Sequence, residues 1–268
     1  MKQIEFSLDY GTRVVAYLHD PLEGQAPSRA ARPAVVIFPG GAYAFCSDRE
    51  ADPVAIPLFE KGYQVFVAFY PVLEEAANMQ PLASAARTLM EIRAHAADWM
   101  VDSSKIAVCG FSAGGHLAAS IATLWGNPKL QKMCGITGRQ ARPDAAILCY
   151  PVITAGPEGH RESIRNVSGA EEGDPRQAFW SLETQVTPET PPVFLWHTFD
   201  DETVPVENTL LFASALRKNG VPFECHIYPH GVHGMSVCTK EVNAEDPHVR
   251  SWVSLCLEWL EIQFGFAY

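Results

Sequence analysis

The chain has 268 residues, of which 47% are hydrophobic and 19% are charged, a composition typical of a soluble globular protein. Its formal net charge of −11 argues against binding to nucleic acid or to an anionic membrane surface, because both favour clustered Lys and Arg. The length exceeds that of an average domain, but folds that alternate strands and helices often reach it around one sheet. We therefore predict one domain over residues 1–268.

The N-terminal segment has neither the long apolar core nor the small-residue cleavage site of a signal peptide. No stretch of about 18 apolar residues is present to span a membrane. The seven cysteines are scattered, odd in number and without a C-x-x-C pair, which is typical of free thiols. We expect a cytoplasmic protein that does not associate with membranes.

Strands are predicted first at Ile4–Leu8 and Val14–His19, on either side of a Gly-containing turn. Six later apolar runs lack period-2 alternation, as do strands that are buried on both faces of a parallel sheet. These runs are Val35–Phe38, Val65–Phe69, Ile106–Cys109, Ala145–Cys149, Val193–Trp196 and Phe223–Tyr228.

Helical patterns lie between these runs. Apolar side chains recur at steps of three and four from Leu82 to Trp99, which predicts a helix of about five turns. Further helices are predicted at Asp52–Gly62, Val206–Asn219 and Val249–Phe264. The alternation predicts an α/β fold with a mostly parallel, doubly wound sheet and helices on both faces. The irregular, Gly- and Pro-rich stretch 151–190 is interpreted as a short helical insertion over the sheet edge.

The pentapeptide Gly110–Gly114 has the pattern G-x-S-x-G, with Ser112 at its centre. A predicted strand comes directly before it and a predicted helix, Gly115–Ala122, directly after it. This strand–turn–helix setting is that of the nucleophile in α/β hydrolases, where the helix N-terminus also favours a developing oxyanion. The alternative is a Gly-rich turn with an incidental serine. We predict that Ser112 is a nucleophile.

A serine hydroxyl needs a positioned base near neutral pH. In α/β hydrolases an acid and then a histidine follow the serine in the chain. His230 and His233 both lie past the last predicted strand, and the neighbouring Gly234 favours His233. Three carboxylates follow the strand Val193–Trp196, and composition does not choose among them: Asp200, Asp201 and Glu202. His116 is expected to pack the nucleophile helix against a neighbouring loop.

An oxyanion hole requires backbone N–H groups that point at the carbonyl oxygen of the substrate. The segment Phe38–Tyr43 follows a predicted strand, and its adjacent glycines leave peptide N–H groups accessible. The other expected donor is the N–H of Ala113, the residue after the nucleophile.

These motifs occur together and in order, and as a set they resemble the acetyl esterase/lipase-like branch of the α/β-hydrolase superfamily. This branch is related to bacterial acetylxylan and feruloyl esterases and to hormone-sensitive-lipase-like enzymes. The matching segments are Phe38–Tyr43, Ser47–Glu50, Gly110–Leu117, Asp201–Pro205 and His230–Gly234.

The resemblance implies that Asp201 is the acid, since it is the Asp of the family pattern D-x-x-V-P, and that His233 is the base. It also implies that Gly41, Ala42 and Ala113 are the oxyanion donors. The loop departs from the H-G-G-G of lipase-like relatives, because Pro39 and Ala42 replace its first and last members.

The predicted activity is hydrolysis of a carboxylic ester through an acyl-enzyme, without a metal or an organic cofactor, since no metal-binding motif is present. We expect a small-molecule ester, such as an acetylated oligosaccharide, as the substrate. Tyr43 and Phe45 are expected to narrow the acyl side and Trp180 to line the alcohol side, unless these rings are packed core. The alternatives are a peptidase or thioesterase with the same triad, or an inactive binding protein.

Overall fold

Eight strands form one sheet in the computed structural model, which describes residues 1–267. In chain order the strands are β1 (Lys2–Leu8), β2 (Thr12–Leu18), β3 (Arg32–Phe38), β4 (Gln64–Phe69), β5 (Val101–Phe111), β6 (Ala145–Cys149), β7 (Val193–Thr198) and β8 (Phe223–Tyr228). Their order across the sheet is β1-β2-β4-β3-β5-β6-β7-β8. β2 is antiparallel to β1 and β4, and all other neighbours are parallel. The predicted mostly parallel α/β sheet is confirmed.

Seven α-helices accompany the sheet in the described part of the chain. They are α1 (Asp52–Glu60), α2 (Gln80–Ala94), α3 (Ala113–Leu124), α4 (Pro128–Cys134), α5 (Arg161–Ser168), α6 (Glu207–Lys218) and α7 (Ser251–Phe264). Short 3-10 helices lie at Pro27–Arg29, Asp48–Glu50, Leu73–Ala76, Pro175–Trp180, Leu182–Thr184 and Lys240–Val242. Among residues 1–267, no helix combines the length and the apolar character needed to cross a membrane. All seven cysteines are free thiols, as predicted.

Helix α2 is shorter than its apolar pattern predicts. It ends at Ala94, and the chain then turns into β5 through bonds from Trp99 N–H to His95 O (3.0 Å) and from Val101 N–H to Ala96 O (2.8 Å). The ring of Trp99 still packs on Phe6, with ring centroids 5.3 Å apart. The apolar pattern therefore continues past the helix because the turn also covers the core.

The sheet separates two apolar layers. In β3, Val36 and Phe38 belong to one layer, whereas Val35 and Ile37 belong to the other. Side chains of α2, α3 and α6 pack in the first layer, and side chains of α1 and α7 pack in the second. Because both faces are covered, the central strands are continuous apolar runs and not alternating ones.

The parallel strands all end at the same edge of the sheet, where open α/β sheets place their binding sites. The loops that leave β3, β5, β7 and β8 at this edge carry the predicted oxyanion loop, Ser112, Asp201 and His233. The stretch 151–190 contains α5 and two 3-10 helices. It is bonded to the loop after β3, since Asn166 Nδ2 donates to Ala42 O at 2.9 Å.

Candidate active site

Ser112 lies in a sharp turn between β5 and α3, with φ 53° and ψ −117°. Its backbone is held by three bonds: its N–H donates to Cys149 O (3.0 Å), and its carbonyl accepts from the N–H groups of His116 (3.0 Å) and Val152 (3.1 Å). A left-handed conformation is costly for a residue with a Cβ, and it persists only where the surroundings fix it. The side chain is therefore presented at one defined position, 8% exposed.

The glycines of this turn are needed for close packing. A Cβ on Gly110 would lie 2.0 Å from the carbonyl oxygen of Gly114. A Cβ on Gly114 would lie 2.0 Å from the carbonyl oxygen of Phe38, at the end of β3. The G-x-S-x-G spacing thus allows the turn to dock against the neighbouring strand.

Ser112, His233 and Asp201 form one hydrogen-bonded series. His233 Nε2 lies 2.8 Å from Ser112 Oγ, and His233 Nδ1 lies 2.6 Å from Asp201 Oδ2. The carboxylate of Asp201 is fully buried, whereas the imidazole of His233 is 17% exposed. The structure therefore brings together the three side chains that the sequence proposes, although they are separated by up to 121 positions.

Asp201 is held by four polar groups. Its Oδ1 accepts from the backbone N–H groups of Thr203 and Val204, both at 2.9 Å. Its Oδ2 faces His233 Nδ1 and also His197 Nε2, which is 3.3 Å away. Burial alone would raise the pKa of this carboxyl, but the hydrogen bonds from His197 and His233 outweigh burial and lower its pKa below the ordinary value. The carboxylate is thus ionised at neutral pH.

Asp200 has a different partner. Its Oδ2 lies 3.1 Å from His230 Nδ1, and its Oδ1 accepts from Gly231 N–H at 2.7 Å. The His230 side chain is 85% exposed. Of the adjacent aspartates, the structure places Asp201 and not Asp200 against His233.

His197 was not singled out in the sequence, yet it is fully buried against Asp201. Its Nε2 lies 2.9 Å from Val204 O, and its Nδ1 lies 2.8 Å from Thr209 Oγ1. Because Nε2 faces only acceptors, it carries the proton, which makes His197 a donor to the carboxylate. The sequence feature that could have indicated this role is a histidine inside an otherwise apolar strand.

The loop after β3 has three consecutive residues with positive φ: Gly41 (127°), Ala42 (56°) and Tyr43 (58°). This loop, which the sequence predicts to be the oxyanion loop, packs directly against Ser112, since a Cβ on Gly40 would lie 3.1 Å from Ser112 Cβ. Within residues 1–267, the N–H groups of Gly41, Ala42 and Ala113 donate to no protein acceptor. Having no acceptor within the described chain is a condition that the predicted oxyanion donors must meet.

A buried carboxylate connects the oxyanion loop to the loop that carries His233. Glu50 Oε2 accepts from Gly40 N–H at 2.7 Å, and Glu50 Oε1 accepts from the hydroxyl of Tyr150 at 2.6 Å. The same Tyr150 hydroxyl accepts from Ser236 N–H at 2.8 Å, and the Tyr150 ring packs edge-on against His233 with centroids 5.1 Å apart. Burial raises the pKa of Glu50 above its ordinary value. Glu50 lies in one of the segments that resemble the family, but no role was predicted for it.

Two of the three predicted substrate contacts are wrong, because Tyr43 and Trp180 are core residues that are 0% and 5% exposed. Both pack around His116: its Nδ1 lies 2.9 Å from Tyr43 Oη, and its Nε2 lies 3.0 Å from Trp180 O. The predicted packing of His116 against a neighbouring loop is thus confirmed, and burial lowers its pKa to about 4. Phe45 is 59% exposed beside the oxyanion loop, so its side chain remains accessible.

The described part of the chain has no group of three or more His, Cys, Asp or Glu side chains arranged to hold a metal ion. A cavity of about 450 Å³ lies beside His233, where Asp200, Glu202, Thr203 and Val232 contribute to its wall. The chemistry available at the site is therefore that of a serine hydroxyl, an imidazole, a carboxylate and free backbone N–H groups.

Comparison with known proteins shows the family of the chain. The BD-FAE family model matches residues 23–216, which is most of the chain. The chain belongs to the BD-FAE family. Its fold is that of an α/β hydrolase, as predicted.

This BD-FAE family member is similar to an acetyl ester-xyloside bifunctional hydrolase from Caldicellulosiruptor lactoaceticus, of known crystal structure. The two are 34% identical with a TM-score of 0.82, over 97% of this chain and 91% of the other. It is also 35% identical to endo-1,4-beta-xylanase B of Butyrivibrio fibrisolvens, over 88% of this chain but 36% of that protein. An acetylxylan esterase of Xylanibacter ruminicola is 29% identical, over 80% of this chain and 43% of that protein. The chain thus spans about two fifths of the length of these two curated relatives.

Proposed function

We propose that the protein is a serine carboxylic-ester hydrolase in which Ser112 is the nucleophile, His233 the general base and Asp201 the acid that orients His233. The observation that carries this proposal is the continuous series Ser112 Oγ–His233 Nε2–His233 Nδ1–Asp201 Oδ2, with distances of 2.8 and 2.6 Å. Similarity to proteins named as esterases supports it.

In the first half of the reaction, Ser112 Oγ attacks the ester carbonyl carbon while its proton passes to His233 Nε2. The negative charge that develops on the carbonyl oxygen is stabilised by the N–H groups of Gly41, Ala42 and Ala113. Asp201 stabilises the imidazolium and keeps the Nδ1–H tautomer before and after the transfer. The tetrahedral intermediate collapses as His233 returns the proton to the departing alcohol, which leaves an acyl-enzyme.

In the second half, His233 removes a proton from water, and the hydroxide oxygen attacks the acyl carbon. This attack forms a second tetrahedral intermediate. As it collapses, the bond between the acyl carbon and Ser112 Oγ breaks and His233 returns its proton to Oγ, which releases the carboxylic acid and restores the Ser112 hydroxyl.

The proposed substrate is an acetyl or other short acyl ester of a carbohydrate or small alcohol. The names of the similar proteins, an acetylxylan esterase and an acetyl ester-xyloside hydrolase, point to this class. The described stretch 151–190 adds one two-turn helix and two 3-10 helices over the site, which leaves little apolar surface to shelter a long acyl chain.

Two measurements test the proposal. A fluorophosphonate probe should label the wild-type protein at Ser112 and should not label Ser112→Ala. Turnover of p-nitrophenyl acetate should fall roughly 10⁴-fold in Ser112→Ala and in His233→Ala, because residues that act as a unit share one effect. Full activity in either variant would contradict the assignment of the triad. Absence of both labelling and turnover in the wild type would favour a binding protein, and a higher kcat/KM on C8 to C12 esters than on acetate would contradict the short acyl group.

A further inference from the structure

A second cavity, of about 610 Å³, lies between the loop after β4 and helix α5. The loop side of its wall includes Leu73, Glu74 and Glu75, and the helix side includes Arg165 and Asn166. Glu171, just past α5, also faces it. The volume falls within the range of roughly 300–1,000 Å³ that is usual for sites that bind small molecules.

Both walls of this cavity are bonded to the oxyanion loop. On the loop side, Leu73 N–H donates to Tyr43 O at 2.6 Å. On the helix side, Asn166 Nδ2 donates to Ala42 O at 2.9 Å. A ligand held between these walls therefore lies next to the loop whose N–H groups are proposed to bind the oxyanion.

The backbone of the loop wall is strained in a way that exposes an apolar side chain. Leu73 has φ 56°, which is uncommon for a residue with a Cβ, and its side chain is 59% exposed. Strained residues of this kind concentrate at binding sites, where the surrounding structure holds them in place. Leu73 thus presents an exposed apolar side chain next to the polar groups of the cavity.

The polar groups of the cavity suit a neutral molecule with many hydroxyl groups. Glu74, Glu75 and Glu171 are acceptors for hydroxyl protons, whereas Arg165 and Asn166 are donors to hydroxyl oxygens. A long acyl chain does not match such walls, because it would leave the charged groups without partners. Three carboxylates against one guanidinium also disfavour an anion.

We propose that this cavity binds the saccharide part of the ester substrate, that is, the leaving alcohol and the sugar units attached to it. This inference rests on the proposed esterase function and adds the position at which the carbohydrate binds. The apolar face of a sugar ring packs on Leu73, while its hydroxyls bond to Glu74 on the loop side and to Arg165 on the helix side. The acetyl group then extends past Ala42 toward Ser112.

The test compares two substrates in matched variants. Arg165→Ala and Glu74→Ala each remove one charged group from the cavity. Arg161→Ala is the control, because Arg161 lies on the same helix but pairs with Glu172 outside the cavity. Each variant is assayed with p-nitrophenyl acetate, which has no saccharide, and with an acetylated xylotriose. Titration with the fluorophosphonate probe counts the active sites, so that a poorly folded fraction does not distort kcat.

We expect kcat/KM for acetylated xylotriose to fall about tenfold in each cavity variant, since loss of one hydrogen bond to a charged group has an effect of this size. Activity on p-nitrophenyl acetate should stay within about twofold, and Arg161→Ala should match the wild type on both substrates. Binding of acetylated xylotriose to Ser112→Ala, measured by calorimetry, should weaken by the same factor when Arg165→Ala is added.

Equal losses on both substrates, or no loss on the saccharide, would overturn the cavity assignment. So would a wild type that hydrolyses p-nitrophenyl acetate but not acetylated xylotriose. A wild type that neither reacts with the probe nor hydrolyses p-nitrophenyl acetate would instead overturn the esterase function itself, so the two failures are distinguishable.

Discussion

Asp201→Asn changes one buried oxygen to an NH₂ group and tests the acid of the series directly. In one orientation the amide oxygen keeps the bonds from the N–H groups of Thr203 and Val204, and the new NH₂ occupies the position of Oδ2. It then faces His233 Nδ1 and the Nε2–H of His197. The flipped orientation would leave both backbone donors without an acceptor, at a cost of about 1–3 kcal/mol for each. The first orientation is therefore favoured.

In that orientation the amide donates to His233 Nδ1 and fixes the proton of the imidazole on Nε2. Because Nε2 is the atom that lies 2.8 Å from Ser112 Oγ, it has no lone pair with which to accept the serine proton. Asn also carries no charge to stabilise the imidazolium. We expect kcat to fall by about 10⁴-fold, the loss typical of this substitution in Ser-His-Asp enzymes.

The matched control is Asp200→Asn. Asp200 is exposed, and among residues 1–267 its carboxylate bonds to His230 and to the N–H of Gly231, so we expect kcat to stay within about threefold of the wild type. Steady-state turnover of p-nitrophenyl acetate measures both variants, and circular dichroism shows whether each is folded. A folded Asp201→Asn protein with more than a tenth of the wild-type kcat would refute the reasoning, and so would equal losses in the two variants.

Three further predictions concern residues around this series. In Glu50→Gln, the new NH₂ group faces one of the two groups that donate hydrogen bonds to the Glu50 carboxylate. We therefore expect kcat to fall about tenfold with little change in KM, and an unchanged kcat would contradict this. Gly114→Ala should prevent folding or abolish activity, because its Cβ would lie 2.0 Å from Phe38 O, whereas the Cβ of Gly126→Ala meets nothing within 4 Å and should leave the Tm nearly unchanged. Burial lowers the pKa of His116 to about 4. As the pH falls, the imidazole of His116 therefore binds a proton in the unfolded state before it does so in the folded state. The free energy of unfolding should decrease by about 3 kcal/mol as the pH falls from about 6.5 to 4. Urea unfolding at several pH values measures this change, and the His116→Leu variant should show a shallower slope.

The central parallel strands were predictable from the sequence because both of their faces are buried, which makes each of them contain a continuous apolar run. The end of α2 was not predictable. Trp99 packs on the core from a turn, at the spacing that one more turn of the helix would give. Helix α4 was missed because it is short and is specified mainly by its ends: Asn127 Oδ1 accepts from the N–H groups of Lys129 and Leu130, and Gly135 closes the helix with φ 65°. Such a local cap carries less signal than the periodicity of a long helix.

At the site, the motifs and their order were enough to propose Ser112 and His233. The choice of Asp201 needed the resemblance, because three adjacent carboxylates have the same chemistry until the strand end fixes their directions. Tyr43 was misjudged because its position after the oxyanion loop does not show which way the ring points. Glu50 and Tyr150 meet across 100 positions, and no local pattern predicts a contact of that separation.

The position of His197 explains why Asp201, and not its neighbour Asp200, is suited to orient His233. Asp200 bonds to the exposed imidazole of His230 and to Gly231 N–H, and solvent competes for its lone pairs because its side chain is itself partly exposed. Asp201 instead lies in the core, where each of its oxygens faces fixed donors, and His197 is one of them. A buried carboxylate without these donors would gain a proton, since burial raises its pKa. His197 and the two backbone N–H groups thus keep the charge on Asp201, and in the proposed mechanism that charge stabilises the His233 imidazolium when Ser112 gives up its proton.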